Sequence, residues 1–287
     1  MNIRSFISLW LSDRYYYELM FRKHQGYFLD WNKVETLNEK IQYLKRYQRD
    51  PIQRMLADKY DVRAFVESEL GDSYLIPVKY CSGDVMSIPW KQLEFPYIVK
   101  STHGSGHFRV IRDASDLDVC RLNKLCSEWL DVDYYRVSRE WQYSNLRPRI
   151  IIEHLLEPSD GSELKDYKFH CIGGKVYAIQ VDLDRSSNHR RNFYSTDWDL
   201  LPFEWSIYKK GGLLWPNGAF VERPDCLDEL VVLSERLSSC FKYVRIDWYV
   251  LGSRAYFGEI TFHHGSGFER ILPRSYDLFL GSKVKLR

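Results

Sequence analysis

A chain of 287 residues that is 45% hydrophobic and 16% aromatic can bury a large core, as one large domain or two moderate ones, which excludes a disordered chain. The net charge of +2 gives no bulk attraction toward nucleic acid, so any anion binding must rest on local clusters. The six cysteines, Cys81, Cys120, Cys126, Cys171, Cys226 and Cys240, form no CxxC pair and no zinc-like spacing with the histidines, and reduced thiols are expected. No stretch has the length of a signal peptide or a membrane span, so a cytoplasmic location is expected, with no transmembrane segment.

Residues 1 to about 72 read as helical. Thr36 and Glu39 make a capping box ahead of an amphipathic run, and Asp50 followed by Pro51 gives a start signal for a second helix. In the segment from Asp58 to Gly71, Leu56, Tyr60 and Arg63 share a helical stripe with Lys59 at its edge. A strand is expected over Tyr74 to Cys81, and Pro89 to Pro96 reads as a connector.

The stretch FPYIVKSTHGSGHFRVIRD then predicts a strand ending in Lys100, a tight turn at His103, Gly104, Ser105 and Gly106, and a return strand over Phe108 to Ile111. Such a turn offers backbone N–H groups to phosphate oxygens, with Lys100 at its base; many hairpins carry Gly-Ser-Gly for backbone reasons alone. His103 and His107 read as loop polar residues. Ser115 to Leu130 predicts a helix, and Ile150 to Ile152 reads as a fully buried strand ending in Glu153, His154 and Leu155. An acid at that position is either a cleft wall or a satisfied salt bridge.

Next, DYKFHCI and KVYAIQVDLDR flank Gly173 and Gly174 as a hairpin, with Asp166, Lys168 and His170 on one face. The segment around Arg185, His189, Arg190 and Arg191 is expected to be a long polar loop. It either closes over an anionic substrate or is a solvated loop. Asp225 to Cys240 predicts an amphipathic helix.

That helix leads into YVRIDWYVLGSRAYFGEITFHHGSGF, where two strands alternate so that Arg245 and Asp247 share one face and Glu259 and Thr261 share another. With Gly252, Ser253 and Arg254 as a three-residue loop, Asp247 lies opposite Glu259 and Arg245 opposite Thr261. Facing carboxylates repel, and a hard cation such as Mg²⁺ neutralises them while leaving room for substrate phosphates. A solvated acidic hairpin is the bland alternative; the apolar remainder of both strands favours the metal.

Several stretches together resemble one family. LNEKIQYLKRYQRDP, LADKYDVR, HGSG, SREWQY, PRIIIEHLLE, DYKFHCIGGK and GEITF followed by GSGF look like the TupA-like branch of the ATP-grasp ligases, named for teichuronopeptide biosynthesis, over about Thr36 to Phe268. The resemblance implies an α+β, ATP-grasp fold in which two antiparallel-sheet subdomains clasp ATP after a mainly helical N-terminal region. The expected division is 1–92 for that region and 93–287 for the core, split into a flap subdomain (93–156) and a metal and substrate subdomain (157–287).

The same resemblance implies that Lys59 and Lys100 contact ATP phosphates under a flap tipped by His103 to Gly106. Glu153, His154 and Leu155 would form the adenine hinge, with Asp166 and its neighbour Lys168 also at the nucleotide. Asp247, Glu259 and Thr261 would hold Mg²⁺; Arg245 would face the transferred phosphoryl group, acting with Lys100 as catalytic. Gly265, Ser266 and Gly267 would meet the substrate; apart from the resemblance, the basic loop of Arg185, Arg190 and Arg191 suits an acidic substrate, and His263 and His264 mark either altered substrate recognition or tolerated variation. Thr261 stands where many of these enzymes place Asn, and His263-His264 where Thr-Pro is expected.

The implied activity is an ATP- and Mg²⁺-dependent carboxylate–amine ligase acting through an acyl phosphate. Its partners would be a small-molecule or glycan-linked carboxylate and an amine such as an amino acid, and its expected product an amidated uronic acid in cell-surface polysaccharide or capsule biosynthesis. The alternatives are a non-catalytic nucleotide- or glycan-binding protein and a sugar kinase built on the same site.

Overall fold

The computed structural model describes residues 11–158, 161, 163–184 and 188–286. In chain order its helices are α1 (Asp13–Gln25), α2 (Leu37–Tyr47), α3 (Ile52–Ala57), α4 (Val62–Leu70), α5 (Val119–Leu130), α6 (Tyr134–Ser138), α7 (Leu227–Ser238) and α8 (Arg274–Lys283). The strands are β1 (Val78–Ser82), β2 (Tyr97–Ser101), β3 (Phe108–Ile111), β4 (Ile150–His154), β5 (Asp166–Ile172), β6 (Lys175–Leu183), β7 (Arg190–Tyr194), β8 (Glu204–Ser206), β9 (Tyr208–Lys209), β10 (Gly212–Leu213), β11 (Tyr243–Leu251), β12 (Arg254–Thr261) and β13 (Arg270–Leu272).

The chain divides into two compact units, one of residues 1–49 and 165–287 and the other of residues 50–164. These breaks fall elsewhere than residues 92 and 156, because β1 hydrogen-bonds to β4 and so carries residues 50–92 into one unit with the flap strands.

In the unit of residues 50–164, four antiparallel strands take the order β1-β4-β2-β3. One face is apolar: Tyr97, Val99, Ile111, Ile150 and Ile152 pack against Leu122, Cys126 and Trp129 of α5. The Asp118 side chain caps α5 by accepting from the Arg121 N–H, three residues later than the expected start at Ser115. The helix expected to run from Asp58 breaks instead. Asp58 Oδ1 accepts from the N–H groups of Tyr60 and Asp61, and this Asx turn separates α3 from α4. Lys59 therefore sits in a turn and not on a helical stripe.

In the other unit, five antiparallel strands take the order β12-β11-β5-β6-β7. One face of this sheet carries Val244, Ile246, Trp248, Tyr167 and Phe169, all buried, and α7 lies against β11, β5 and β6. The Trp248 indole donates to Ser234 Oγ of α7 at 2.9 Å, so burying that large ring leaves no unmet N–H. At one end of the opposite face, Ala178, Phe193 and Tyr243 join Leu37, Ile41 and Leu44 of α2 and Leu280 of α8 in a second apolar cluster. The Thr36–Glu39 capping box closes the N-terminus of α2 as the sequence predicts.

Residues 190–194, expected within a long loop, form β7. Leu183 pairs with Arg190, Asp182 with Arg191 and Gln180 with Phe193. The alternation of Arg191 and Phe193 on one face supplies a strand that the run of basic residues conceals. Of the expected lid, Arg185 lies outside the described residues.

Candidate active site

In the unit of residues 50–164, Lys100 at the end of β2 reaches Glu153 of β4, with Nζ 2.8 Å from Oε2. Arg63 of α4 approaches the other oxygen of Glu153 at 3.4 Å. Glu153 is thus both a buried acid and a paired one. His154 beside it is exposed, and the Leu155 N–H donates to Pro96 O.

The turn after β2 is held from three sides. The Lys59 ammonium donates to Gly104 O, and the Lys59 N–H donates to Thr102 O at 3.1 Å. A Cβ on Gly104 would come within 2.9 Å of the Tyr134 ring, so only glycine lets the turn lie against α6. His107 stacks on Trp129 at 5.6 Å, while Ser105 and Gly106 are exposed at the tip. His103 is buried, and burial pushes its imidazole below the usual range, so it is a neutral packing residue and not a loop polar group.

In the other unit the functional residues share one face of the five-stranded sheet. Register places Asp247 across from Lys168 on one side and Glu259 on the other, and Arg245 across from His170 and Thr261. The pairing of Asp247 with Glu259 is the one expected, but its cause differs. Leu251 pairs with Arg254, so Gly252 and Ser253 alone make the turn, which shifts every later pair by one residue. A bulge at Gly258 shifts the register back between Trp248 and Asp247. A Cβ at position 258 would lie 3.1 Å from Asp247 O, which is why glycine occupies the bulge.

Arg245 binds both acids. Its Nε and Nη2 lie 2.6 Å from the two oxygens of Asp247, and Nη2 also lies 3.0 Å from Glu259 Oε1. Thr261 Oγ1 donates to the same Glu259 oxygen at 3.2 Å. Burial pushes the Asp247 carboxyl upward against the opposing charges of Arg245 and Lys168. The side chain of Glu259 is 37% accessible, so one acid of the pair reaches solvent and the other does not.

Lys168 on β5 extends this arrangement, with its Nζ in contact with Asp166, 3.4 Å from Asp182 and 3.9 Å from Asp247. Asp182 also takes Arg191 Nε at 2.9 Å and His189 Nε2 at 3.0 Å. Although burial resists ionisation of Asp182, the His189 hydrogen bond and the charges of Arg191 and Lys168 hold its carboxyl far below the usual range. Arg191 then reaches Glu269 at 2.7 Å, and Glu269 Oε2 lies 3.1 Å from His264 Nε2. His264 Nδ1 returns to Arg245 Nη1 at 2.6 Å, which closes a ring of buried polar contacts.

In this ring and its branches the carboxylates of Asp166, Asp182, Asp247, Glu259 and Glu269 meet Lys168, Arg191 and Arg245. The Asp247 and Glu259 carboxylates, one closed off from solvent and one open to it, are oxygen donors of the kind a hard divalent cation takes, although no group of three or more His, Cys, Asp or Glu among the described residues is arranged around one.

Arg191 is 5% exposed and paired with Asp182 and Glu269, whereas Arg190 is half-buried. His263 is buried, and burial holds its ring neutral. In Gly265, Ser266 and Gly267 the backbone is left-handed throughout, with φ of 52°, 55° and 68°. Lys45 of α2, fully buried, donates to Ser266 O at 3.1 Å and to Ser266 Oγ at 2.8 Å, and Gln42 donates to the same carbonyl at 2.8 Å.

Sequence reasoning missed Lys45, Asp182 and Glu269. Asp182 carried a signal: with Gln180 it has the strand phase of Lys168 once β5 and β6 pair. Lys45 and Glu269 carried none, since their partners are remote in sequence.

A family model described as TupA-like ATPgrasp matches residues 39–285. No curated protein matches the chain in sequence. Among solved structures the chain is similar to D-alanine–D-alanine ligase from Bacillus anthracis, at 16% identity and a TM-score of 0.42 over 72% of this chain and 56% of that one. It is also similar to the ATP-grasp ligase PsnB complexed with a phosphomimetic variant of its minimal precursor, Mg and ADP, at 13% identity and a TM-score of 0.45 over 78% and 58%. A third is the ADP complex of purK, N5-carboxyaminoimidazole ribonucleotide synthetase, at 9% identity and a TM-score of 0.44 over 78% and 50%. The chain spans less than two thirds of the length of each of these three.

Proposed function

This chain belongs to the TupA-like ATP-grasp family, and from that membership we propose that it is an ATP- and Mg²⁺-dependent carboxylate–amine ligase. The observation that carries the reading is the Asp247–Glu259 pair, facing each other on neighbouring strands and both in contact with the Arg245 guanidinium. In such a reaction a carboxylate oxygen of the substrate takes the γ-phosphoryl group of ATP, and an amine then displaces phosphate from the acyl phosphate to form the amide.

Bound Mg²⁺ would supply charge neutralisation for the phosphoryl group. Asp247 and Glu259 would hold it, with the Thr261 hydroxyl beside Glu259 as a neutral third group. Arg245, positively charged at any working pH, stabilises the negative charge that gathers where phosphate and carboxylate meet. Lys59 and Lys100 are assigned to ATP phosphates, Glu153 to Leu155 to the adenine, and Asp166 and Lys168 to the nucleotide. Lys59 and Lys100 already hold the turn carbonyl of Gly104 and the carboxylate of Glu153, so each exchanges an internal acceptor for a phosphate oxygen. Gly265, Ser266 and Gly267 are assigned to the substrate.

We read the carboxylate as a uronic acid or related acidic sugar of cell-surface polysaccharide biosynthesis and the amine as an amino acid. The half-buried Arg190 supports an acidic acceptor. No helix among the described residues is long and apolar enough to cross a membrane, and reliance on ATP favours the cytoplasm.

Hydroxylamine trapping with Mg-ATP and a panel of sugar acids tests the reading. Hydroxamate formation supports the ligase. Release of ADP without hydroxamate identifies a kinase, and neither product identifies a nucleotide- or glycan-binding protein.

A further inference from the structure

The buried ring gives Arg245 a second set of contacts, remote from the carboxylates it pairs with. Nη1 lies 2.6 Å from Nδ1 of His264, while Nε2 of the same imidazole lies 3.1 Å from Glu269 Oε2. A guanidinium only donates, so Nδ1 accepts from Arg245, and the proton of the neutral imidazole sits on Nε2, the side that faces Glu269. Glu269 is held in turn by Arg191 Nη1 at 2.7 Å, and the same nitrogen donates to Trp205 O at 3.0 Å.

The surroundings leave this imidazole one orientation. The Trp205 ring meets it edge to face at 4.7 Å, and His170 does so at 4.9 Å from another side. Gly265, next in the chain, has φ of +52°, and a Cβ there would lie 2.5 Å from Glu269 Cγ, so glycine is what lets Glu269 fold back onto His264. Gln25 of α1 holds the Glu269 backbone carbonyl at 3.1 Å.

We propose that His264 and Glu269 are positioning residues that aim the Arg245 guanidinium at the transferred phosphoryl group, with Arg191 as the anchor at the far end of the chain of contacts. His264 thus acts through Arg245 and does not touch the substrate. One amino group of Arg245 is drawn toward His264 while Nε and Nη2 stay on Asp247, which fixes the plane of the fork. Without His264, Nη1 loses its acceptor and the guanidinium is free to tilt about its contacts with Asp247 and Glu259, which moves its charge relative to the phosphoryl position.

The inference rests on the ligase reading, and binding measurements separate the two. Calorimetric titration of the full chain with Mg-ADP, and with Mg-ADP plus orthovanadate as a mimic of the transferred phosphoryl group, gives the increment in affinity that the mimic adds. His264→Leu is expected to leave Mg-ADP affinity within about twofold and to reduce the vanadate increment by about tenfold or more, the factor for one lost hydrogen bond to a charged group. His264→Asn, which can place its amide oxygen near the position of Nδ1, is expected to recover most of the increment. An increment unchanged in His264→Leu overturns the proposal, and so does an equal loss of Mg-ADP and vanadate binding, which marks a purely structural role. A wild-type chain that binds no Mg-ADP overturns the ligase reading itself. If His264→Leu fails to fold, Glu269→Gln replaces it: removing the charge that faces Nε2 is expected to lower the increment at least about threefold, and an unchanged increment overturns the proposal.

Discussion

At the scale of single residues, the candidate site is built from charges that could not be buried singly. Arg245, Asp247, Lys168, Asp182, Arg191 and Glu269 are each at least nine-tenths buried and each in contact with an opposite charge. Burial opposes ionisation of Glu269, but Arg191 and His264 outweigh it and bring its carboxyl down to about 2. Burial likewise takes His264 down to about 4, so it is neutral at pH 7 and free to accept from Arg245. Asp247→Asn keeps the shape of the side chain while removing one candidate metal ligand. Mg²⁺-dependent hydroxamate formation is expected to fall at least about a hundredfold, and turnover at the wild-type rate would remove the metal reading. Gly265→Ala places a Cβ in a left-handed backbone and 2.5 Å from Glu269 Cγ. A loss of about 1–3 kcal/mol is expected in urea unfolding, from backbone strain and the displaced Glu269 together.

At the scale of elements, the β11–β12 hairpin shows how a correct pairing arises from an unexpected cause. A two-residue turn and a bulge at Gly258 each shift the register by one, and together they restore the juxtaposition of Asp247 and Glu259 that a three-residue turn would have given. Alternation was readable because side-chain period is local; the bulge was not, because the need for glycine comes from Asp247 O on the neighbouring strand. The contact of α2 with α8 carries a separate prediction. Asp277 accepts from the Asn38 N–H and Nδ2, both at 3.1 Å, yet burial pushes its carboxyl up to about 6. The folded protein then binds a proton between about pH 4 and 6 that the unfolded chain has released, so this group's contribution to stability falls as pH rises through that window. Asp277→Asn mimics the protonated form. Its unfolding free energy in urea is expected to match wild type near pH 4.5 and exceed it at pH 8, by on the order of 2 kcal/mol; a variant less stable at pH 8 would contradict the raised carboxyl.

At the scale of the whole molecule, each of the two units has its own antiparallel sheet and its own apolar cluster. If the chain binds Mg-ADP as its family membership leads us to propose, ligand at about a hundred times its dissociation constant adds about 2.7 kcal/mol to the stability of what binds it. A thermal shift is expected with Mg-ADP in the wild type and a smaller one in Glu259→Gln. Equal shifts would show that Glu259 is no part of the nucleotide–metal site. The sequence by itself determined most strands, the capped helices, the facing acids and the family, because period, caps and motif order are properties of neighbouring residues. It misread β7 as a loop. Only the tertiary structure decided that Arg191 is held by Asp182 and Glu269, that Lys45 lies beneath Ser266, and that His264 joins Glu269 to Arg245. Most of those pairings join groups far apart along the chain, and a buried charge takes its partner from whatever the fold brings within about 3 Å, which no local pattern records.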